Sequence, residues 1–320
     1  MNIRALLWLP IILGISCSSV DRVTVNTTAR VMEKGANQIN HDPDWHFFKQ
    51  AAPANIKMIE GLSFANPDND KLLAMLAKSY GGYAYGVLET LNLDDALKDR
   101  EKLFYKDQAI GAYTKSLNYG LKYLERKGIK KTDVFSKEAA AKLPILLEEK
   151  LDSDDKTAVF FTGQSLGGLI NLQKENVLLI SRIGAAKALM DWVCQRDMDF
   201  EGGACHLFYA LYEASRPAML GGNLEKGKKL FKKFIKEHPY NLLGRVSYIQ
   251  YYVIPMMDEV EYAKQREALI REFSIWEKVK NAGAQDSRVE NYLKRGHLNL
   301  FNAIANERFK IIEKNKDNIF

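Results

Sequence analysis

The sequence predicts an all-α chain of helical hairpins, and three observations carry that expectation. Apolar residues recur at helical spacing from Trp45 almost to the C-terminus. Proline is scarce and spaced out like punctuation between those stripes. Apart from a short β-rich opening at Phe160, no strand-like alternation survives.

With 320 residues, 47% of them hydrophobic, the chain is long enough for one large domain or two small ones. The formal charge is +6, with lysine and arginine interspersed among aspartate and glutamate. Basic residues crowd two places, Lys226–Lys236 and Lys127–Lys131, which read as solvated helix faces. The interleaving of aromatic and basic residues that marks a nucleic-acid surface is missing, so no nucleic-acid partner is expected.

The N-terminus carries Arg4, an apolar run Ala5–Leu13, and then Gly14-Ile-Ser-Cys17. That run is too short to span a bilayer and has the layout of a secretion signal. A cysteine straight after a small residue at its end resembles a bacterial lipobox, although Gly14 stands where the commonest lipoboxes carry leucine. The expected division is a lipoprotein signal peptide at 1–16, a lipid anchor and tether at 17–40, and an all-α domain at 41–320. Cys17 is the lipidated residue. The mature protein is then periplasmic and held on a bacterial membrane by its acyl chains, since more than one chain gives stable anchoring.

The domain opens with two helices between Asp42 and Glu89, joined at Pro67. Ile56, Ile59 and Leu62 stripe the first; Leu73, Leu76, Ala77 and Tyr80 stripe the second. Pro67 stops the first helix because the residue before a proline resists the α region. Small residues (Ala77, Gly81, Gly82, Ala84, Gly86) predict a neighbour packed very close. A long amphipathic helix is expected over Asp94–Gly128, with Ala109, Tyr113 and Ser116 on its contact face. Helices interrupted at Pro144 (Lys137–Lys150) and running over Glu175–Gln195 follow. At Gly221–Pro239 a glycine turn opens a helix striped by Leu224, Leu230, Phe231, Phe234 and Ile235, and Pro239 closes it. Gly227, Phe231 and Pro239 fit the tetratricopeptide consensus; Phe234 is larger than usual. Helices over Leu242–Ile254, Val260–Asn281 and Ser287–Lys314 complete the chain. The expected architecture is a tetratricopeptide-like array, an α-α superhelix.

Several chemical motifs are imitated. Gly163-Gln-Ser165-Leu-Gly167 matches a nucleophile elbow, with Ser165 as the candidate serine of a hydrolase. An elbow needs a central strand before it, and the chain offers no succession of strands, so two close-packed helices are the preferred reading. Gly222–Lys228 imitates a phosphate loop, but its apolar phase puts those residues inside a helix. The acidic cluster of Glu148, Glu149, Asp152, Asp154 and Asp155 lacks EF-hand spacing. Cys194 and Cys205 fit either a disulfide or two buried thiols. Together with His206, Asp197 and Asp199 they follow no zinc spacing. No catalytic residue, metal or cofactor is therefore expected.

With these segments in hand, the chain resembles the T-component lipoproteins associated with TRAP transporters, the TatT family. The resemblance rests on Thr24-Val-Asn-Thr-Thr28, on Ala54–Leu62 followed by Asn66-Pro-Asp-Asn69, and on Tyr80-Gly-Gly-Tyr-Ala-Tyr85. It continues through Phe161–Gly167 and Ala218-Met-Leu-Gly-Gly-Asn223. It implies a homotrimeric, non-catalytic scaffold that docks the extracytoplasmic solute-binding protein of a TRAP-type uptake system and helps pass its ligand. A repeat lipoprotein in envelope assembly is the alternative, and a serine hydrolase using Ser165 a remote one. Aromatics such as Tyr248, Tyr251 and Tyr252 are candidates for a partner surface or for core.

Radiolabelled palmitate should enter the full chain and not the Cys17→Ser variant; equal labelling of the two would remove the anchor.

Overall fold

The computed structural model describes residues 17–98, 104–280 and 287–320. The signal peptide expected at 1–16 lies outside the described residues, as does the Cys17 side chain. In order, the helices are α1 (Cys17–Ala36), α2 (Trp45–Ala65), α3 (Asp70–Tyr83), α4 (Glu89–Leu97), α5 (Phe104–Arg126) and α6 (Lys131–Val134). They continue as α7 (Ala139–Lys150), α8 (Lys156–Leu172), α9 (Val177–Ile180), α10 (Ile183–Arg196), α11 (Phe200–Ala214) and α12 (Leu224–Glu237). The last are α13 (Leu242–Tyr248), α14 (Glu259–Lys280), α15 (Ser287–Leu293), α16 (Asn299–Lys314) and α17 (Lys316–Ile319). Among the described residues there is no strand. The expected all-α class holds.

Local chemistry sets the helix boundaries. The Asp44 carboxylate accepts the amides of His46 and Phe47 at 2.8 and 3.1 Å and starts α2. Pro67 lies in the turn after α2, and the Asn69 side chain caps α3 through the Leu72 amide at 3.0 Å. The Asn26 side-chain oxygen accepts from both Asn66 and Asn69, at 2.8 and 2.7 Å. The stretch expected as a tether, with Ala29, Met32 and Ala36 on one side of a short docking helix, is helix α1, with Val25 and Ala29 buried in the core and Met32 packed against it.

The stripes at Ile56/Ile59 and Leu73–Tyr80 are buried as expected. The small-residue face works through Gly81 and Gly86. A Cβ on Gly81 would sit 3.1 Å from both Phe161 and Ser116, and one on Gly86 would sit 2.9 Å from Ile304. Gly82 and its expected contact differ: it faces open space.

Several expected elements are corrected: Glu175–Gln195 is two helices, α9 and α10, and Ser287–Lys314 is α15 and α16 with a 3₁₀ turn between them. The helix expected over Asp94–Gly128 ends at Leu97 and resumes as α5 at Phe104. Helix α7 runs unbroken through Pro144, with Pro144 and Ala140, whose carbonyl loses its usual amide, both on the exposed side. The β-rich opening at Phe160 is the interior of α8, its aromatics held in the core.

Among the described residues two large hydrophobic clusters form most of the interior, beside a small third one of Leu73, Tyr123 and Ala158. One gathers α2, α3, α5, α7, α8 and α10; the other gathers α12, α13, α14 and α16, with Trp45 and Val87 reaching into it. In the second, α12 behaves as its pattern predicts: Asn223 caps it through the Lys226 amide at 2.9 Å, and Phe231 and Phe234 are fully buried. Phe234 fits where a smaller residue is usual because Gly244 and Gly203 face its ring; a Cβ on Gly244 would overlap that ring. Of the Gly222–Lys228 segment, Gly222 and the cap Asn223 precede the helix and Leu224–Lys228 form its first turn, with Gly227 pressed on Ala214.

Phe231→Ala should cost roughly 3–5 kcal/mol in urea denaturation, the range for emptying a buried aromatic site. Lys229→Ala, on the exposed face of the same helix, should change stability by less than about 0.5 kcal/mol. Equal costs at the two positions would contradict this packing.

Candidate functional site

Between the two clusters lies a cavity of about 1120 Å³. Its walls come from α1, α2, α3, α8, α10, α11, α13 and α16. The lining is mostly apolar, with Met75, Phe160, Phe161, Met190, Leu207 and Ile304 among its inner residues. Phe47 and Met58 on α2, and Leu220 after α11, are exposed at its rim. Gly82 and Gly167 also line it, and a Cβ on either would meet nothing within 4 Å. Helices whose inward positions carry glycine leave space that no side chain fills.

One wall of the cavity is polar. The Glu89 carboxylate, buried at the start of α4, accepts the Tyr113 hydroxyl. Arg308 of α16 lies behind it, 1% exposed. Its Nε donates to Thr90 Oγ1 at 3.0 Å, its Nη2 donates to the Tyr85 carbonyl at 2.5 Å, and its guanidinium covers the Tyr85 ring at 4.4 Å. Glu89, Tyr85, Tyr113 and Tyr251 all face the cavity.

The backbone explains why these groups converge. Between α3 and α4 the chain makes a π-helical turn, Ala84–Leu88, and after α13 it makes another, Ile249–Val253. Such a turn shifts the hydrogen-bond register and leaves carbonyls free for other partners. Tyr85 gives its carbonyl to Arg308, while Gly86 gives its own to Trp45 Nε1 at 2.8 Å and Thr90 Oγ1 at 3.0 Å. The second turn supplies Tyr251. Of the three tyrosines read as either partner surface or core, Tyr248 and Tyr252 are core, stacked at 5.4 Å, and Tyr251 lines the cavity.

Burial pushes the Glu89 carboxyl above its ordinary range, against the lowering pull of Arg308 and of the Tyr113 hydroxyl. Burial likewise raises the Tyr113 phenol well above its usual value, and Glu89 adds to it. Desolvation alone would lower the Arg308 pKa, but Tyr85, Tyr251 and Glu89 outweigh it and the guanidinium keeps its charge. A second polar group of the lining is Glu201, paired with Lys78 and accepting from Asn40 at 3.3 Å.

The residues singled out from sequence fall elsewhere. Cys17 is the first described residue, at the start of α1. Ser165 lies inside α8, fully buried, and donates to Ser116 Oγ at 2.6 Å; Ser116 donates to the Ala77 carbonyl at 2.7 Å. It ties three helices together, and no strand-turn-helix elbow presents it. Asp155, at the centre of the acidic cluster, is 2% exposed and is held by Tyr123 and by Lys127 Nζ at 2.9 Å, as part of the cap that starts α8. Cys194 and Cys205 form a disulfide, Cα atoms 5.5 Å apart. They are thereby removed from any metal set, but Asp199 and His206 meet His238 instead.

The TRAP transporter T-component family model (TAtT) matches residues 41–272 of the chain. The chain belongs to that family. No curated protein matches it. The matched region contains the π-helical turn at Ala84–Leu88, most of the cavity lining, and Glu89. Arg308, Leu300 and Ile304 come from α16, beyond the match, yet they complete the same wall. As a T-component the chain is part of a TRAP transport system. No helix among the described residues is long and apolar enough to cross a membrane.

The Arg308 wall was missed in sequence. Its signal was one arginine within the apolar phase of Leu300, Ile304 and Ile311. Because its folded pKa is raised above 4.5, Glu89 holds a proton more tightly in the folded chain than in the unfolded one. Wild-type stability therefore falls as pH rises from about 4.5 toward the folded value. Glu89→Gln lacks that loss, so its urea midpoint relative to wild type should climb across this window and be flat below it. A decline instead would mean that Arg308 outweighs burial.

Proposed function

We propose that the chain is the membrane-anchored, extracytoplasmic scaffold of a TRAP-type uptake system, docking its solute-binding protein and passing an apolar solute through the cavity. The observation that carries this reading is the cavity itself. Its volume, about 1120 Å³, is at the upper end of small-molecule sites, and such sites are mostly apolar with a few placed polar groups. Glu89, Tyr113 and Tyr251 supply those groups here, backed by Arg308, and suit one polar end of an otherwise apolar molecule. Family membership supports the transport setting.

The tetratricopeptide-like array belongs to this proposal. Its support is the packing of consecutive helices in pairs, α3 on α5, α5 on α8, α8 on α10 and α11 on α12, with the Gly227–Phe231–Pro239 pattern on α12. Anchoring through Cys17 and the homotrimer come from the lipobox and the resemblance. The proposal assigns the chain no catalysis. The alternative of an envelope-assembly lipoprotein keeps the anchor and the array and gives the cavity no solute.

Two substitutions test the reading. Gly82→Trp and Gly167→Phe put large side chains into open cavity space from helical positions, where replacing glycine costs the helix nothing. Wild type should bind an apolar fluorophore such as anilinonaphthalene sulfonate with saturation, and either variant should weaken it tenfold or more. Co-purification with the solute-binding protein encoded beside it should survive both changes. Equal fluorophore binding in all three, with no partner retained, would leave the envelope-assembly reading.

A further inference from the structure

Outside the cavity, Asp199, His206 and His238 bring three ligand atoms within 4.8 Å of one another. Asp199 Oδ1 lies 3.4 Å from His206 Nε2 and 3.5 Å from His238 Nε2. These separations are long for hydrogen bonds. They match the spacing of two ligands on one tetrahedral ion, about 3.3 Å for metal–ligand bonds of ~2.0–2.1 Å. The imidazole rings stand 4.8 Å apart, and His238 stacks on Phe234 at 4.7 Å, which fixes its ring.

The chain spends backbone strain to make this meeting. In an unbroken helix, residues seven apart are separated by about 10 Å along the axis. Here Glu201, Gly202 and Gly203 all take positive φ (48°, 68° and 89°), and the first turn of α11 folds back so that Asp199 reaches His206. Glycine accepts that conformation; Glu201 does so at a cost. Glu201 is held inward by Lys78 and Asn40, the Asn241 side chain donates to the Gly202 carbonyl at 2.7 Å, and the Cys194–Cys205 disulfide pins the far side of the turn. His238 arrives from the end of α12.

We infer that Asp199, His206 and His238 form a binding site for a borderline divalent transition metal of the zinc class, clasping the start of α11 to the end of α12. Two imidazoles and one carboxylate suit zinc, nickel or copper and disfavour magnesium and calcium, which want oxygen donors. Asp199 is mostly exposed, so a fourth position opens to water. The bound ion would hold in place the turn whose Glu201 lines the cavity. This site is independent of the transport reading and survives its failure.

The test uses the full chain in detergent, stripped with chelator and kept free of thiol reductant so that Cys194 and Cys205 stay paired. Zinc titrated calorimetrically should bind at one ion per chain and raise the thermal midpoint, and magnesium should do neither. Asp199→Asn and His238→Gln should each weaken zinc about tenfold or more, since each removes one of three ligands. His297→Gln, at a different histidine pair with His41, should leave binding unchanged. The exposed Asp199→Asn change keeps the test decisive where a histidine variant fails to fold. No zinc bound, or equal affinity in wild type and Asp199→Asn, would overturn the site.

Discussion

The fold turns on the contact between Arg308 and the bulge that begins at Ala84. One guanidinium reaches the Tyr85 carbonyl, the Thr90 hydroxyl and the field of Glu89, joining residues more than 200 apart in sequence. It holds α16, the last long helix, against the α3–α4 rod, and so closes one cluster against the other. A buried charge of this kind gives little net stability, because desolvation consumes most of the Coulombic gain. Its effect is geometric: Arg308 has partners in one arrangement of the helices, and sliding α16 by a turn would strand it without them.

That arrangement explains the bulge. In an uninterrupted helix from Asp70 to Leu97 the Tyr85 carbonyl would accept the Glu89 amide; the π-helical turn sends that amide to Ala84 and leaves the Tyr85 carbonyl to Arg308. Gly86, whose carbonyl accepts from Trp45, has a second duty, since Ile304 occupies the space its side chain would need. The same few residues thus set the approach of α16, the anchorage of α2 through Trp45, and the polar wall of the cavity. The second π-helical turn completes the wall with Tyr251. These local departures from α geometry lie where polar groups meet the cavity.

What was legible in the sequence follows from what periodicity can report. Stripes at Ile56, Leu73, Ala109 and Phe231 identify buried faces, and Pro67 and Asn69 mark a junction, because these are local rules. The segments behind the family resemblance turn out to touch: Asn26 bonds Asn66 and Asn69, and Gly81 lies on Phe161 and Ser165. A resemblance in short, separated pieces reflects contacts between them. Ser165 was readable as a helix contact because the strands an elbow needs were missing. By contrast, Arg308 looked like any basic residue of an amphipathic helix, since its partners lie in a bulge that leaves no periodic trace. His238 was invisible as a neighbour of Asp199 for the same reason: a left-handed turn and a helix end bring them together. The polar composition of α1 reads as a tether, while Ala29 and Met32 mark its packing side and Val25 joins them in the core.

The cavity opens to solvent at its rim and is not an enclosed packing void. Domains are stable by about 5–15 kcal/mol, and voids left by truncating core side chains cost about 24 cal/mol per Å³. A dry void of the observed volume would exceed the whole stability of the chain. The space persists because each flanking cluster is closed on its own, with Trp276, Phe231 and Tyr248 fully buried on one side and Leu72, Leu76 and Leu124 on the other. No side chain was ever positioned to fill it: Gly82 and Gly167 face it with nothing. Its exposed rim at Phe47 and Met58 admits water or an apolar guest. In the proposed solute role an apolar guest gains most there, since apolar walls offer water few partners, while Glu89 is taken up by the Tyr113 hydroxyl and Arg308 by Tyr85 and Thr90. In the proposed role the polar wall orients the solute, and the apolar lining supplies its affinity.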